Sequence, residues 1–352
     1  MNSHERILRA INFIPPDKIP IWNTAHFDGF TEKWRRYKNL PETETPEEYY
    51  GYDTAVCLGD ESFFPGQRKV LKEQSGVIVE NDGWGRIIET VRNGYFSRVV
   101  GYEYDDRKKL ETMKFEPAAL SGRFTGLAEE AAGLRKNGRC VFSKTGGIYV
   151  RTHRLLPEEE LLSAMALEPS FCRDLFSKVA LHLTDMALET LKRTGTYETG
   201  IWVFDDMAGT YAPMFHPGMF ETYLLPLYKM MISRLRAAGC KRFWFHSDGN
   251  IGPLLDMLLE AGFSGFNPLE PRSGLDLVKL RKQYGERMVF FGGICNTEIL
   301  PRGDRAEIKK HLDPLIELAF DGGTILGMAS AAGDISPEAY DYCMNLIRKA
   351  IR

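Results

Sequence analysis

The residues best suited to chemistry lie in His246-Ser247-Asp248-Gly249-Asn250, directly after the apolar run Phe243-Trp244-Phe245. A histidine and an aspartate delivered together at the end of a buried strand can serve as metal ligands, or as a base with its orienting carboxylate. A plainer reading makes Asp248 the cap of a helix beginning near Ile251, with His246 hydrogen-bonded in a wall. A second pair, Asp205-Asp206, follows Ile201-Trp202-Val203-Phe204. Two adjacent carboxylates in that position cannot both avoid a pocket, and a desolvated one can act as acid or base. Asp206 is the expected pocket residue, whereas Asp205 reads equally well as a cap. Glu270 sits in Asn267-Pro268-Leu269-Glu270-Pro271, where prolines on both sides stiffen the chain. Beside His246 and Asp248 it makes a third ligand, and such a set suits zinc or a harder divalent ion with one position open. Cys295 is a weaker candidate for the same ion.

Other polar residues gather where apolar runs end. Asn23 and His26 follow the first run, and Asp60 the second. Tyr149 and Arg151 come after Gly146-Gly147, Asn267 ends the sixth run, and Trp84 stands between two turns. These residues, with Asp205, are the expected substrate contacts. Arg151 is suited to grip an acidic group in bidentate fashion. The pair Gly292-Gly293 admits either close approach of a flat ligand or a phosphate, or tight strand packing.

Positioning such residues requires rigid strands. Eight β-like runs fall at about 18–24, 52–59, 140–147, 200–206, 241–247, 263–270, 287–294 and 322–328. They are continuously apolar rather than alternating, as in strands covered on both faces. Between them lie one-sided helical patterns, such as Phe171, Leu175, Phe176, Val179, Leu183 and Met186, or Tyr223, Leu224, Leu227, Met231 and Leu235 ending at Gly239. Alternating strands and helices imply parallel pairing with right-handed crossovers. Eight units predict a single (β/α)8 barrel over residues 1–352, with chemistry at the C-terminal strand ends. An open doubly wound sheet is the alternative, weakened by the lack of a G-x-G-x-x-G fingerprint. Residues 75–105 break the rhythm. The turns Asn81-Asp82-Gly83 and Asn93-Gly94 between short β-like runs predict an inserted antiparallel meander beside the barrel mouth.

Composition excludes several classes of function. The 352 residues carry a net charge of -3, so there is no basic field for nucleic acid. No stretch approaches the roughly 18 apolar residues of a membrane span, and the opening Met1-Asn2-Ser3-His4-Glu5-Arg6 lacks a signal core. A cytoplasmic location is expected. The six cysteines are widely spaced without a Cys-x-x-Cys pair and read mostly as buried thiols.

The chain resembles the uroporphyrinogen decarboxylase superfamily, which also holds cobalamin-dependent methyltransferases. The resemblance rests on His246-Ser-Asp-Gly-Asn-Ile, Gly265-Phe-Asn-Pro-Leu-Glu-Pro, Gly274-Leu-Asp-Leu with Leu280-Arg-Lys-Gln-Tyr-Gly, and Phe291-Gly-Gly-Ile. Asp205-Asp206-Met207-Ala208 and Arg6-Ile-Leu-Arg-Ala with Pro20 also match, so it covers nearly the whole chain. It implies a (β/α)8 barrel with a deep cleft and, since family members often pair, raises a homodimer. The decarboxylases' arginine-rich motif after the first strand is replaced by Ala25-His26-Phe27-Asp28-Gly29-Phe30, and a late Gly-His-Gly by Met328-Ala329-Ser330. A substrate with many carboxylates would meet Asp28, Asp60, Asp205 and Asp206 largely unopposed. The methyltransferases' zinc-binding His-x-Cys reads His246-x-Asp248 here, and their later cysteine is missing. Oxygen ligands favour Lewis-acid activation of an ether or amine over activation of a thiolate. The expected function is therefore metal-assisted transfer of a methyl group from a small O- or N-methylated donor to the cobamide of a corrinoid protein. Zinc would be held by His246, Asp248 and Glu270, and Asp206 would act as acid or orient the donor. Two alternatives are a cofactor-free decarboxylase of a porphyrinogen or smaller acid, using Arg151 and Asp206, and a non-catalytic tetrapyrrole or cobamide binder.

Overall fold

The computed structural model describes residues 1–22, 25–92, 97–331 and 334–350, with the backbone alone for residues 25, 28, 330 and 331. Seven parallel strands form one sheet: Thr54–Cys57, Cys140–Gly146, Ile201–Phe204, Phe243–His246, Gly265–Asn267, Val289–Gly293 and Thr324–Gly327. They lie side by side in sequence order, each joined to its neighbour in parallel register. Helices occupy the crossovers, the longest being Pro169–Thr194, which begins on a proline and ends at the left-handed Gly195. Phe171 to Met186 supply the expected one-sided pattern within it.

The sheet is curled. Phe142 and Phe291 stand on strands four places apart, which in a flat sheet at about 4.8 Å per strand would separate them by roughly 19 Å. Their ring centroids are 6.4 Å apart. The concave face is filled by Trp22, Phe142, Trp202, Trp244, Phe291 and Ile325, and the amino-terminal helix Ser3–Ile11 adds Ile7, Ala10 and Ile11 to that cluster. Trp202 is the hub, 4.7 Å from Trp22 and 4.8 Å from Phe291. A second, larger core lies on the other face, between strands and helices.

The expected first strand, 18–24, is not a strand among the described residues. Ile21 makes one isolated parallel bridge, to Leu326. Trp22 donates its amide to the Leu326 carbonyl at 2.7 Å, and the Ile21 carbonyl accepts from the Asp53 amide at 3.0 Å. The ladder is short for a physical reason. Pro20 has no N–H to give, and the Ile21 N–H is taken by the Asp53 carboxylate at 2.9 Å. Nearby, Ala25–His26 pairs in parallel with Ser330–Ala331.

The insert is real and larger than expected. Four antiparallel strands, Lys69–Gln74, Val77–Asn81, Arg86–Val91 and Ser97–Tyr102, form a separate sheet. It begins before residue 75 because Lys69–Gln74, exposed along its whole length, carries no burial pattern that a sequence could display. The Asn93-Gly94 turn lies outside the described residues. All six cysteines are buried and free. Among the described residues no helix is long and apolar enough to cross a membrane.

Asp53 locks the amino-terminal helix to the sheet. Fully buried, it accepts from Arg6 Nη1 at 2.6 Å, Ser3 Oγ at 2.8 Å and the Ile21 amide. Removing one partner of a buried charge pair strands the other. Asp53→Ala is expected to lower stability by about 3–5 kcal/mol in urea unfolding, and a loss below about 1 kcal/mol would show that the lock carries little.

Candidate active site

Each candidate side chain owes its position to a strand end. Phe204 pairs with His246, and His246 in turn with Asn267. Beyond that row the strands 201–204 and 243–246 give way to two loops stitched backbone to backbone. The Asp205 amide donates to the His246 carbonyl at 2.8 Å, and the Asn250 amide to the Gly209 carbonyl at 2.8 Å. Ser247 Oγ accepts from the Met207 amide at 3.1 Å. Gly249 is required here: it has φ +81°, and a Cβ on it would lie 2.5 Å from the carbonyl oxygens of Ala208 and Gly209.

This stitching brings Asp206, His246 and Asp248 together, with one ligand-capable atom of each within 4.8 Å of the others. His246 Nε2 lies 3.6 Å from Asp206 Oδ1 and 3.8 Å from Asp248 Oδ1. The imidazole's orientation is set from behind. Asn267 Nδ2 donates to the Phe291 carbonyl at 3.2 Å, so its Oδ1 faces His246 Nδ1 at 2.6 Å. An amide oxygen only accepts, so Nδ1 carries a proton and Nε2 is the nitrogen turned toward the two carboxylates. Phe204 stacks on the ring at 4.1 Å. Asp206 Oδ1 also accepts from the Asp248 amide at 3.0 Å, which holds that carboxylate over the imidazole. The imidazole is 13% exposed, whereas both aspartates are about half exposed at 50% and 54%. Partial burial and the carboxylates of Asp206 and Glu270 push the Asp248 carboxyl up, against the pull of His246.

Glu270, expected as the third ligand, stands outside this cluster of three. Its Oε2 accepts from the Gly249 amide at 2.8 Å, so the carboxylate braces the turn that presents Asp248. Asp206 takes the third place instead. Asn267, expected to touch substrate, is occupied with His246. Cys295 is buried, its amide donating to His311 Nε2 at 3.1 Å, and it does not join the cluster.

Asp205 is a structural residue. It is fully buried and accepts from the Val150 amide at 2.6 Å, the Tyr149 amide at 3.2 Å and the Tyr228 hydroxyl. Burial pushes its carboxyl up to about 6 even against these donors. It also accounts for Gly147, where a Cβ would lie 1.9 Å from Asp205 Cβ. That glycine is required by packing against Asp205. Tyr149 is buried, and its hydroxyl donates to Glu158 at 2.8 Å. Arg151 donates to Glu61 at 3.0 Å, and its guanidinium lies 4.4 Å from the Trp84 ring. Its charge is already met. Glu61 is held in turn by the Gly146 amide at 2.9 Å. Asp60 binds Arg68 through both oxygens, at 2.7 and 2.8 Å. His26 lies between Glu47 at 3.0 Å and Tyr340 at 2.9 Å, in a network that also includes Tyr52. Asn23 lies outside the described residues. Glu61, Phe204 and Tyr228 were not singled out from sequence, although Phe204 could have been, from its place two residues before Asp206.

The adjacent aspartates divide their work, and mutation should separate them. Asp205→Ala leaves two buried amides and a hydroxyl without an acceptor and is expected to cost about 3 kcal/mol or more in stability. Asp206→Ala is expected to stay within about 0.5 kcal/mol of the parent in the same unfolding measurement. Equal losses would contradict this division.

The sequence profile described as uroporphyrinogen decarboxylase (URO-D) matches residues 157–349. A search of curated proteins finds no match. Among solved structures, a methyltransferase from Methanosarcina mazei superposes with a TM-score of 0.70 at 16% identity, covering 99% of this chain and 98% of the other. A protein described as a candidate vitamin-B12-independent methionine synthase from Listeria monocytogenes covers 94% of each chain at 12% identity, with a TM-score of 0.38 that carries no structural weight. The matched profile spans more than half of the sequence, including the strands that bear Asp206, His246 and Asp248, and the chain belongs to the uroporphyrinogen decarboxylase family.

Proposed function

We propose that the chain is a metal-assisted methyltransferase, moving a methyl group from a small O- or N-methylated donor to the corrinoid of a separate protein. The observation that carries this reading is the imidazole of His246, locked by Asn267 with its Nε2 facing two carboxylates. The residues fit a divalent ion. Tetrahedral bonds of about 2.0–2.1 Å place ligand atoms roughly 3.3 Å apart, and the Nε2–oxygen distances of 3.6 and 3.8 Å are close to that before any ion draws them in. The whole-chain likeness to a methyltransferase supports the same reading at the level of fold. We take the sheet as a closed eight-position barrel, in which residues 20–22 fill the remaining place between Asp53 and Leu326.

An ion at this position supplies Lewis acidity that weakens the bond between the donor's heteroatom and its methyl carbon. The protein's own part is orientation. Asn267 keeps the proton on Nδ1, so Nε2 remains a donor of electrons. The Asp248 amide turns Asp206 toward the imidazole, and Glu270 fixes the Gly249 turn. The ligand set is thus Asp206, His246 and Asp248, with Asn267 and Glu270 behind it. The methyl group would leave its bonding pair on the donor's oxygen or nitrogen, and a reduced corrinoid, as acceptor, would supply the pair for the new bond.

Metal analysis and calorimetric titration with Zn²⁺ or Co²⁺ test the site. His246→Ala is expected to abolish tight binding, and Asn267→Ala to weaken it about 10–100-fold by freeing the ring. Methyl transfer to added cob(I)alamin from a panel of methoxylated and methylamine donors should disappear on chelation and return with the ion. Full activity in metal-free protein would overturn the reading.

A further inference from the structure

The surroundings of Lys144 are unusual for a lysine. On strand Cys140–Gly146, the residues Cys140 and Phe142 belong to the cluster on the concave face of the sheet. Side chains alternate along a strand, so Lys144 points to the same face, at the end where the candidate site lies. Its ammonium lies 3.6 Å from the centroid of Phe204. His246 stacks on that ring at 4.1 Å. Two groups cannot share one face of a phenyl ring at those distances, so lysine and imidazole cover opposite faces. Among the described residues Nζ has no hydrogen-bond or ion-pair partner. The charged groups around it are Glu61, Arg151 and Asp206. Glu61 is committed to Arg151 and the Gly146 amide, and Asp206 to the Asp248 amide beside His246. The lysine is half-buried, and desolvation lowers its affinity for the proton.

A cation placed in a pocket without a counter-ion is poorly stabilised until one arrives. We propose that Lys144 binds the carboxylate of the substrate, so that the methyl donor is a small monocarboxylate whose O- or N-methyl end reaches the His246 cluster on the other side of Phe204. This deepens the proposed function and rests on it only for the donor's methyl group. A single negative charge is favoured by the setting: one ammonium offsets one carboxylate, and a second carboxylate would find no further free cation beside Lys144 among the described residues, because Arg151 is already paired with Glu61. Phe204 acts as the spacer, because both of its faces are covered and it fixes the separation between ammonium and imidazole.

The test compares acids with their neutral amides on a shared skeleton. The pairs are 4-methoxybenzoate with 4-methoxybenzamide, and 3-methoxypropanoate with 3-methoxypropanamide. Binding is measured by calorimetry and ligand-observed NMR, on metal-free and Co²⁺-loaded protein. The parent is expected to bind at least one acid about tenfold or more tightly than its amide, as a charge-assisted hydrogen bond provides. Lys144→Met should erase that preference with Co²⁺ affinity and melting temperature no lower than the parent's, and Lys144→Arg should retain it. Equal binding of acid and amide by the parent, survival of the preference in Lys144→Met, or no binding of either acid at millimolar concentration would overturn the proposal. Failure to bind Co²⁺ would remove the methyltransferase reading but leave a Lys144-dependent preference standing, so the two outcomes are separable.

Discussion

The register between strands Ile201–Phe204 and Phe243–His246 governs the candidate site. Phe204 lies opposite His246, and the ladder runs one bond further, from the Asp205 amide to the His246 carbonyl. That bond sets which residues beyond the strands come face to face. With alternation of two, Asp206 and Asp248 fall on the same side as the imidazole, and Asp205 and Ser247 fall on the other. A slip of one residue would bury Asp206 and swing Asp205 into the open. The aromatic layer beneath, Trp202 against Trp22 and Phe291, holds the register because those side chains fill the concave face only in this alignment.

Much of this was legible in the sequence, because strand ends and their polar residues are local patterns. Apolar runs ending in Asp206, His246 and Asp248 pointed to a shared cavity, and the geometry brings these three together. The role of Glu270 was not legible. Flanking prolines show that the residue is held, but its acceptance from the Gly249 amide depends on how two loops meet. Asn267 is a similar case, since only the fold shows that its carbonyl oxygen faces an imidazole rather than a ligand. Arg151 looked available in one dimension. In space Glu61, from the preceding crossover, reaches it first.

The strand count illustrates a different limit. The segment near Ile21 has the apolar character of a strand, yet one of its amides is missing at Pro20 and the next is taken by a buried side chain. Whether an extended segment joins a ladder depends on what else competes for its N–H groups. Lys144 escaped notice for the opposite reason. A lysine near a strand end usually reads as solvated, and only the alternation with Cys140 and Phe142 places it on the inner face.

The neighbours Asp205 and Asp206 have a further consequence. One is bound into the scaffold by Tyr228 and two backbone amides, while the other stands beside His246 with half of its side chain in solvent. The inner acid therefore tethers the peptide that presents the outer one, whose own side chain takes a single backbone hydrogen bond, from the Asp248 amide. Such a position can drift among side chains over evolutionary time without unravelling its host. A lineage built on this arrangement is free to explore new reactivities one residue at a time.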